Sequence, residues 1–125
     1  MKRDPDLIRQ ILLAVEEKNN LDQLFPTNLG ITGWDNADID YHALLLIEAG
    51  YLEGKATPMG QGNVMVVIKR LTWEGHEFLD AARDDGRWAK AKSAISKAGG
   101  WSFEVLKPIL VELAKEAIKT SLGLP

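Results

Sequence analysis

A chain of 125 residues, 46% hydrophobic and 26% charged, has the size and composition of one ordinary globular domain with a core that needs no staples. The absence of cysteine excludes disulfides and thiolate metal sites, and no apolar run approaches the roughly 18 residues that cross a bilayer. The net charge of −3 is unevenly spread: residues 19–54 hold six acids and no Lys or Arg, whereas residues 55–125 hold eleven cations against eight acids.

The opening residues, Met1-Lys2-Arg3-Asp4-Pro5, lead into no uninterrupted apolar stretch, so no signal peptide is expected and the expected location is the cytoplasm. Asp4 is a good N-cap and Pro5 fits the first helical position. Leu7, Ile8, Ile11, Leu12 and Val15 then recur at helical spacing up to Asn19-Asn20. Residues 21–34 are irregular, since Pro26, Gly30 and Gly33 break any helix, and a short strand or loop is expected there. A second helix is predicted from Asn36 to Ala49, capped by Gly50. Residues 51–56 read as a strand, Thr57 to Asn63 as a flexible turn, and the β-branched run Val64 to Leu71 as the returning strand.

Thr72 is placed to cap a third helix that buries Phe78, Leu79 and Ala82. Asp84-Asp85-Gly86 reads as an interruption before a short helix from Arg87 to Ala98, with Trp88, Ala91 and Ile95 on one side and Gly99-Gly100 as its stop. Ser102 precedes a final helix whose stripe is Phe103, Leu106, Leu110, Leu113 and Ala117, with Ile118 at its far end. Pro108 lies in its second turn, a position that kinks a helix or delays its start.

Helix, irregular link, helix, hairpin, helix is the order of a winged helix. The expected fold is therefore α+β, mainly α: a winged-helix-like core over residues 1–86 with a two-stranded wing, and a C-terminal helical extension, residues 87–125, packed on it as one structural domain.

Several stretches also carry a family resemblance. They are Met1-Lys2-Arg3-Asp4 with Asp6-Leu7-Ile8-Arg9; Tyr41-His42, Leu45-Leu46 and Glu48-Ala49-Gly50-Tyr51-Leu52; and Arg70-Leu71-Thr72-Trp73-Glu74-Gly75-His76-Glu77-Phe78-Leu79-Asp80, followed by Arg83-Asp84 and Trp88. Together they resemble a bacterial and phage family described as domain of unknown function 2513, over nearly the whole chain except residues 19–34. The resemblance implies a winged-helix-like fold and residence on prophages and mobile elements. It implies no activity and carries over no functional residue.

The helix 36–49 stands where a winged helix reads DNA. Ile39, Ala43, Leu46 and Ala49 are its inward set, which leaves Asp40, Tyr41, Leu44 and Ile47 outward. An acid and two aliphatic side chains suit a protein surface better than phosphates. Tyr41, Leu44 and Ile47 are thus the candidate interaction face, with Leu44 and Ile47 expected to be covered by residues 101–122 or by a second protomer. The candidate nucleic-acid contacts are Lys55, Lys69 and Arg70 flanking the wing, Gln61 and Asn63 at its tip, and Arg87, Lys90 and Lys92 in the acid-free stretch 86–98, which also holds Lys97.

His76-Glu77 begins like a zinc-protease helix, but Asp80 stands where the second histidine belongs. Asp38 and His42, four apart, offer two ligands, too few for a site. Gly60-Gln61-Gly62 lacks the third glycine of a phosphate loop, and the four tryptophans (34, 73, 88, 101) read as core anchors. No nucleophile, base and orienting group assemble. The expectation is a non-enzyme with no catalytic residue, metal, cofactor, small-molecule substrate or membrane partner, acting through a protein partner or homodimer. The alternative is a weak DNA-binding regulator using the wing and residues 86–98.

Overall fold

The computed structural model describes residues 2–18, 23–97, 99 and 102–124; Asn19-Asn20, Ala98, Gly100 and Trp101 lie outside the described residues. The fold is α+β and mainly helical, in the order α1 (Pro5–Glu16), β1 (Phe25–Pro26), α2 (Asn36–Glu48), β2 (Leu52–Gly60), β3 (Asn63–Leu71), α3 (Trp73–Ala82), α4 (Asp85–Lys97) and α5 (Phe103–Ser121). Among the described residues no helix is long and apolar enough to cross a membrane. The chain divides into two compact units, residues 1–77 and 78–125, and the break falls inside α3.

In the first unit α1 starts as its sequence dictates. Asp4 takes extended backbone angles and its Oδ1 accepts from the Asp6 N–H at 2.9 Å, with Pro5 in the first turn. Leu7, Ile8, Ile11, Leu12 and Val15 are all buried. They meet Ile39, Ala43 and Leu46 of α2 and the inward residues of an antiparallel sheet ordered β1-β3-β2. Helix α2 ends in a Schellman motif. Gly50 adopts φ +84, its N–H reaches the Ile47 carbonyl at 3.1 Å, and the Tyr51 N–H reaches Leu46 at 2.9 Å. Ala49, expected inward, is instead the exposed C-cap.

The hairpin is longer than its sequence suggests. Thr57, Pro58 and Met59, expected in a loose turn, continue β2, and the reversal is made by Gln61 and Gly62 alone. Both have positive φ (54 and 79), the signature of a type I′ turn, whose twist matches that of the strands. Pro58 is tolerated because β2 is an edge strand.

A bulge at the other end explains a second irregularity. Glu53 pairs with Arg70 but Gly54 with Ile68, so Lys69 is the extra residue. Val66 and Ile68 point into the core with period two, and the extra residue resets the phase so that Leu71 points inward as well. Gly54 is required there: a Cβ would run into the Val67 carbonyl and the Ile47 side chain.

Thr72 caps α3 as expected, accepting from the Gly75 N–H at 3.0 Å, while its own hydroxyl donates to the Gly50 carbonyl. In the second unit, Asp84 is a cap rather than an interruption. Its Oδ2 accepts from the Arg87 N–H at 2.8 Å and its carbonyl from Trp88 at 2.9 Å, so α4 begins at Asp85. Trp88, Ala91 and Ile95 are buried as predicted, as are Leu106 and Leu110 of α5, the helix that packs on α4. The Phe103 ring lies 4.7 Å from that of Phe78. The predicted stripe does not stay inward along α5: Ala117 is exposed and Ile118 is 59% exposed. Pro108 lies within the helix and does not delay its start.

Candidate functional site

The outward face of α2 is built against the hairpin of its own unit. Ile47 packs on Gly54 of β2, which is why a Cβ at that glycine would meet its Cδ1. One helical turn earlier, Tyr41 and Leu44 open onto a groove of about 180 Å³ whose other wall is Gly62, Asn63 and Val64 at the hairpin tip, with Ala37 and Asp40 completing it. The long hairpin makes this possible, because the I′ turn brings Asn63, itself exposed, to the groove's rim. Tyr41, Leu44 and Ile47 are all half-buried. The groove thus brings together two of the three predicted face residues and one of the predicted tip residues, while Ile47 serves the packing beneath it.

Asp40 is fixed in this groove by a hydrogen bond from the Thr27 hydroxyl. From Asp35 to Ala49 there are four acids and no Lys or Arg. The hairpin contributes Lys55, Lys69 and Arg70 against Glu53, so residues 35–71 hold five acids and three cations, a net −2. Two of those cations share one acid: the bulge sets Arg70 Nε at 2.7 Å and Lys69 Nζ at 3.7 Å from the Glu53 carboxylate. The Arg70 hydrogen bond, followed by the charges of Arg70 and Lys69, holds the Glu53 carboxyl below its ordinary range. Lys55 and Gln61 are exposed on the hairpin. Arg87, Lys90 and Lys92 lie on α4 in the other unit, with the Lys92 ammonium 5.9 Å over the Trp88 ring.

Sequence reasoning missed a polar hub between α1 and α2. His42 is only 2% exposed, and both ring nitrogens are engaged. Its Nε2 accepts from the Asp4 N–H at 2.8 Å, so Nδ1 carries the proton and donates to the Asp38 main-chain carbonyl at 2.7 Å. Asp38 and His42, two potential ligands too few for a metal site, are joined through the backbone of Asp38, not its carboxylate. Asp4 adds a third link, since its Oδ2 accepts from Trp34 Nε1 at 3.0 Å. One residue thus caps α1, holds α2 through His42 and fastens the link before α2 through Trp34. Nothing in the sequence joins positions 38 apart, and only the burial of an isolated histidine on an apolar helix face hints at it. Among the described residues no group of three or more His, Asp or Glu is placed to hold a metal ion.

The tryptophans divide. Trp88 is 4% exposed, Trp34 is half-buried, and Trp73, read as core, is 77% exposed at the start of α3.

Residues 2–101 match the family described as Hypothetical protein (DUF2513). A protein of Haemophilus influenzae named "Uncharacterized protein" is 41% identical over 112 residues, covering 87% of this chain and 92% of the relative. No solved structure matches the chain.

Proposed function

The chain belongs to the DUF2513 family, and we propose that it acts as a non-catalytic winged-helix module that docks a protein through the α2–hairpin groove. The element order, the antiparallel sheet ordered β1-β3-β2 and the position of α2 before the hairpin support the winged-helix reading. Residues 27–34 stand as a turn-rich link where a helix-turn-helix carries its first helix.

The observation that carries the docking reading is the make-up of the groove: Tyr41, Leu44 and Val64 beside Asp40, with no cation on α2. Duplex DNA presents a dense row of phosphates, which acids repel and which must be met by several Lys or Arg contacts. A protein segment with an apolar anchor and a neighbouring basic side chain matches this surface in shape and charge. Membership of the family covers residues 2–101, so the groove lies wholly within the family's shared part.

The test is a photo-crosslinking amino acid at position 41, introduced in cells. The expected adduct is sensitive to protease and resistant to nuclease, and is lost when Leu44→Lys places a cation in the groove; a second copy of this chain counts among such adducts. A nuclease-sensitive adduct would overturn the reading, as would an adduct indifferent to Leu44→Lys or the absence of any adduct.

A further inference from the structure

We propose that a second cleft, formed by the end of α1, the end of β3 and the start of α3, binds a nucleotide through its base and its phosphate. The site shares Arg70 with the hairpin and is otherwise separate from the α2 groove. Its lining is Lys18, Arg70, Trp73 and His76 above Val15 and Leu71, with Glu16 and Thr72 at its edge, around a volume of about 460 Å³. Volumes of a few hundred Å³ are the scale of sites for ligands of nucleotide size.

Trp73 is the first indication. A ring of that size, 77% exposed at the first position of a helix, does nothing for the core. Its indole face is open to stacking, the means by which proteins hold single bases without regard to sequence.

The charges are the second indication. Two full cations and a histidine converge on a cleft that holds one carboxylate, in a chain whose net charge is negative. Lys18 is steadied, its ammonium 5.8 Å over the Phe25 ring. Glu53 engages the Arg70 Nε–H in an exposed pair of the kind that holds weakly against a competing anion. The Glu16 carboxylate lies 4.0 Å from His76 Nδ1, so a phosphate is disfavoured on that side and belongs toward Lys18 and Arg70. A base on Trp73 and a phosphate on those cations account together for features that neither explains alone. Free nucleotides and single-stranded nucleic acid both present this chemistry.

The test follows the Trp73 indole N–H signal by NMR, assigned by its loss in Trp73→Phe, during titration with AMP, adenosine, ribose phosphate and a short oligodeoxyadenylate. AMP is expected to give a saturable shift with affinity about tenfold or more above adenosine and ribose phosphate, because of these three it alone engages both halves of the cleft. Arg70→Gln is expected to remove most of the advantage of AMP over adenosine. Trp73→Ala, which lacks that signal and is titrated with AMP by calorimetry beside the parent, should weaken AMP binding about tenfold, the scale of one lost stack, without moving the melting temperature. An oligonucleotide binding more tightly than AMP identifies single strands as the ligand; equal or weaker binding identifies free nucleotide. No saturable shift with any probe at millimolar concentration would overturn the proposal, as would equal affinity for AMP and adenosine.

Discussion

Gly75→Ala is expected to destabilise the protein by about 2–3 kcal/mol, although alanine is the better helix former by roughly 1 kcal/mol. Gly75 is buried in the first turn of α3, and a Cβ there would overlap the Tyr51 carbonyl. That carbonyl has little room to retreat. It accepts the Thr72 N–H at 3.1 Å, and the Gly50 carbonyl beside it accepts the Thr72 hydroxyl. Relief of the clash must break at least one of these bonds or shift α3 from its cap. The steric loss exceeds the gain in propensity, and the melting temperature should fall by about 10 °C at the few degrees per kcal/mol usual for this size. Thermal unfolding followed by circular dichroism checks it; a melting temperature equal to or above the parent would show that α3 accommodates the methyl group.

His42→Phe should cost about 2–3 kcal/mol, whereas Asp38→Asn should cost under about 1 kcal/mol. Phenylalanine keeps a ring in the space but strands the Asp4 N–H, which now meets His42 Nε2 at 2.8 Å. The Asp38 carbonyl retains its helical partner. Asp38→Asn leaves that carbonyl in place and removes only a favourable charge from the first turn of α2. Denaturant unfolding of both variants, with and without added zinc, measures the contrast. Equal losses would contradict a purely main-chain role for Asp38, and a zinc-dependent rise confined to the parent would mean that the two side chains act together as ligands.

The sequence was most legible where one residue type has one physical use. Asp4-Pro5 and the Leu7 to Val15 spacing specify α1 almost fully, because a cap and an apolar stripe are local signals. Gly50 after an apolar run specified the end of α2 in the same way. Local signals failed where partners lie far apart in the chain. Thr57-Pro58-Met59 look like a turn, and only pairing with Met65 and Val64 makes a strand of Thr57 and Pro58. Asp84 looks like a break because its capping role depends on where the next helix begins. Of the candidate site, the outward positions Tyr41 and Leu44 could be read from helical spacing. Their opposite wall could not, because it depends on a hairpin length set by a two-residue turn and a bulge. Trp73 was misjudged for a related reason: aromatic residues beside apolar runs are usually buried, and nothing local showed that helix α3 turns this one outward.

The proposed use of the α2–hairpin face, docking a protein rather than reading duplex DNA, is tested most directly by a salt titration of duplex binding by the unmodified protein. With three cations at most on this face, duplex affinity should be weaker than about 0.1 mM at physiological salt and should change by no more than about fortyfold between about 50 and 200 mM salt. A sequence-dependent affinity surviving at physiological salt, with a loss of about a thousandfold or more over the same range, would require six or more phosphate contacts and would contradict protein docking as the use of this face.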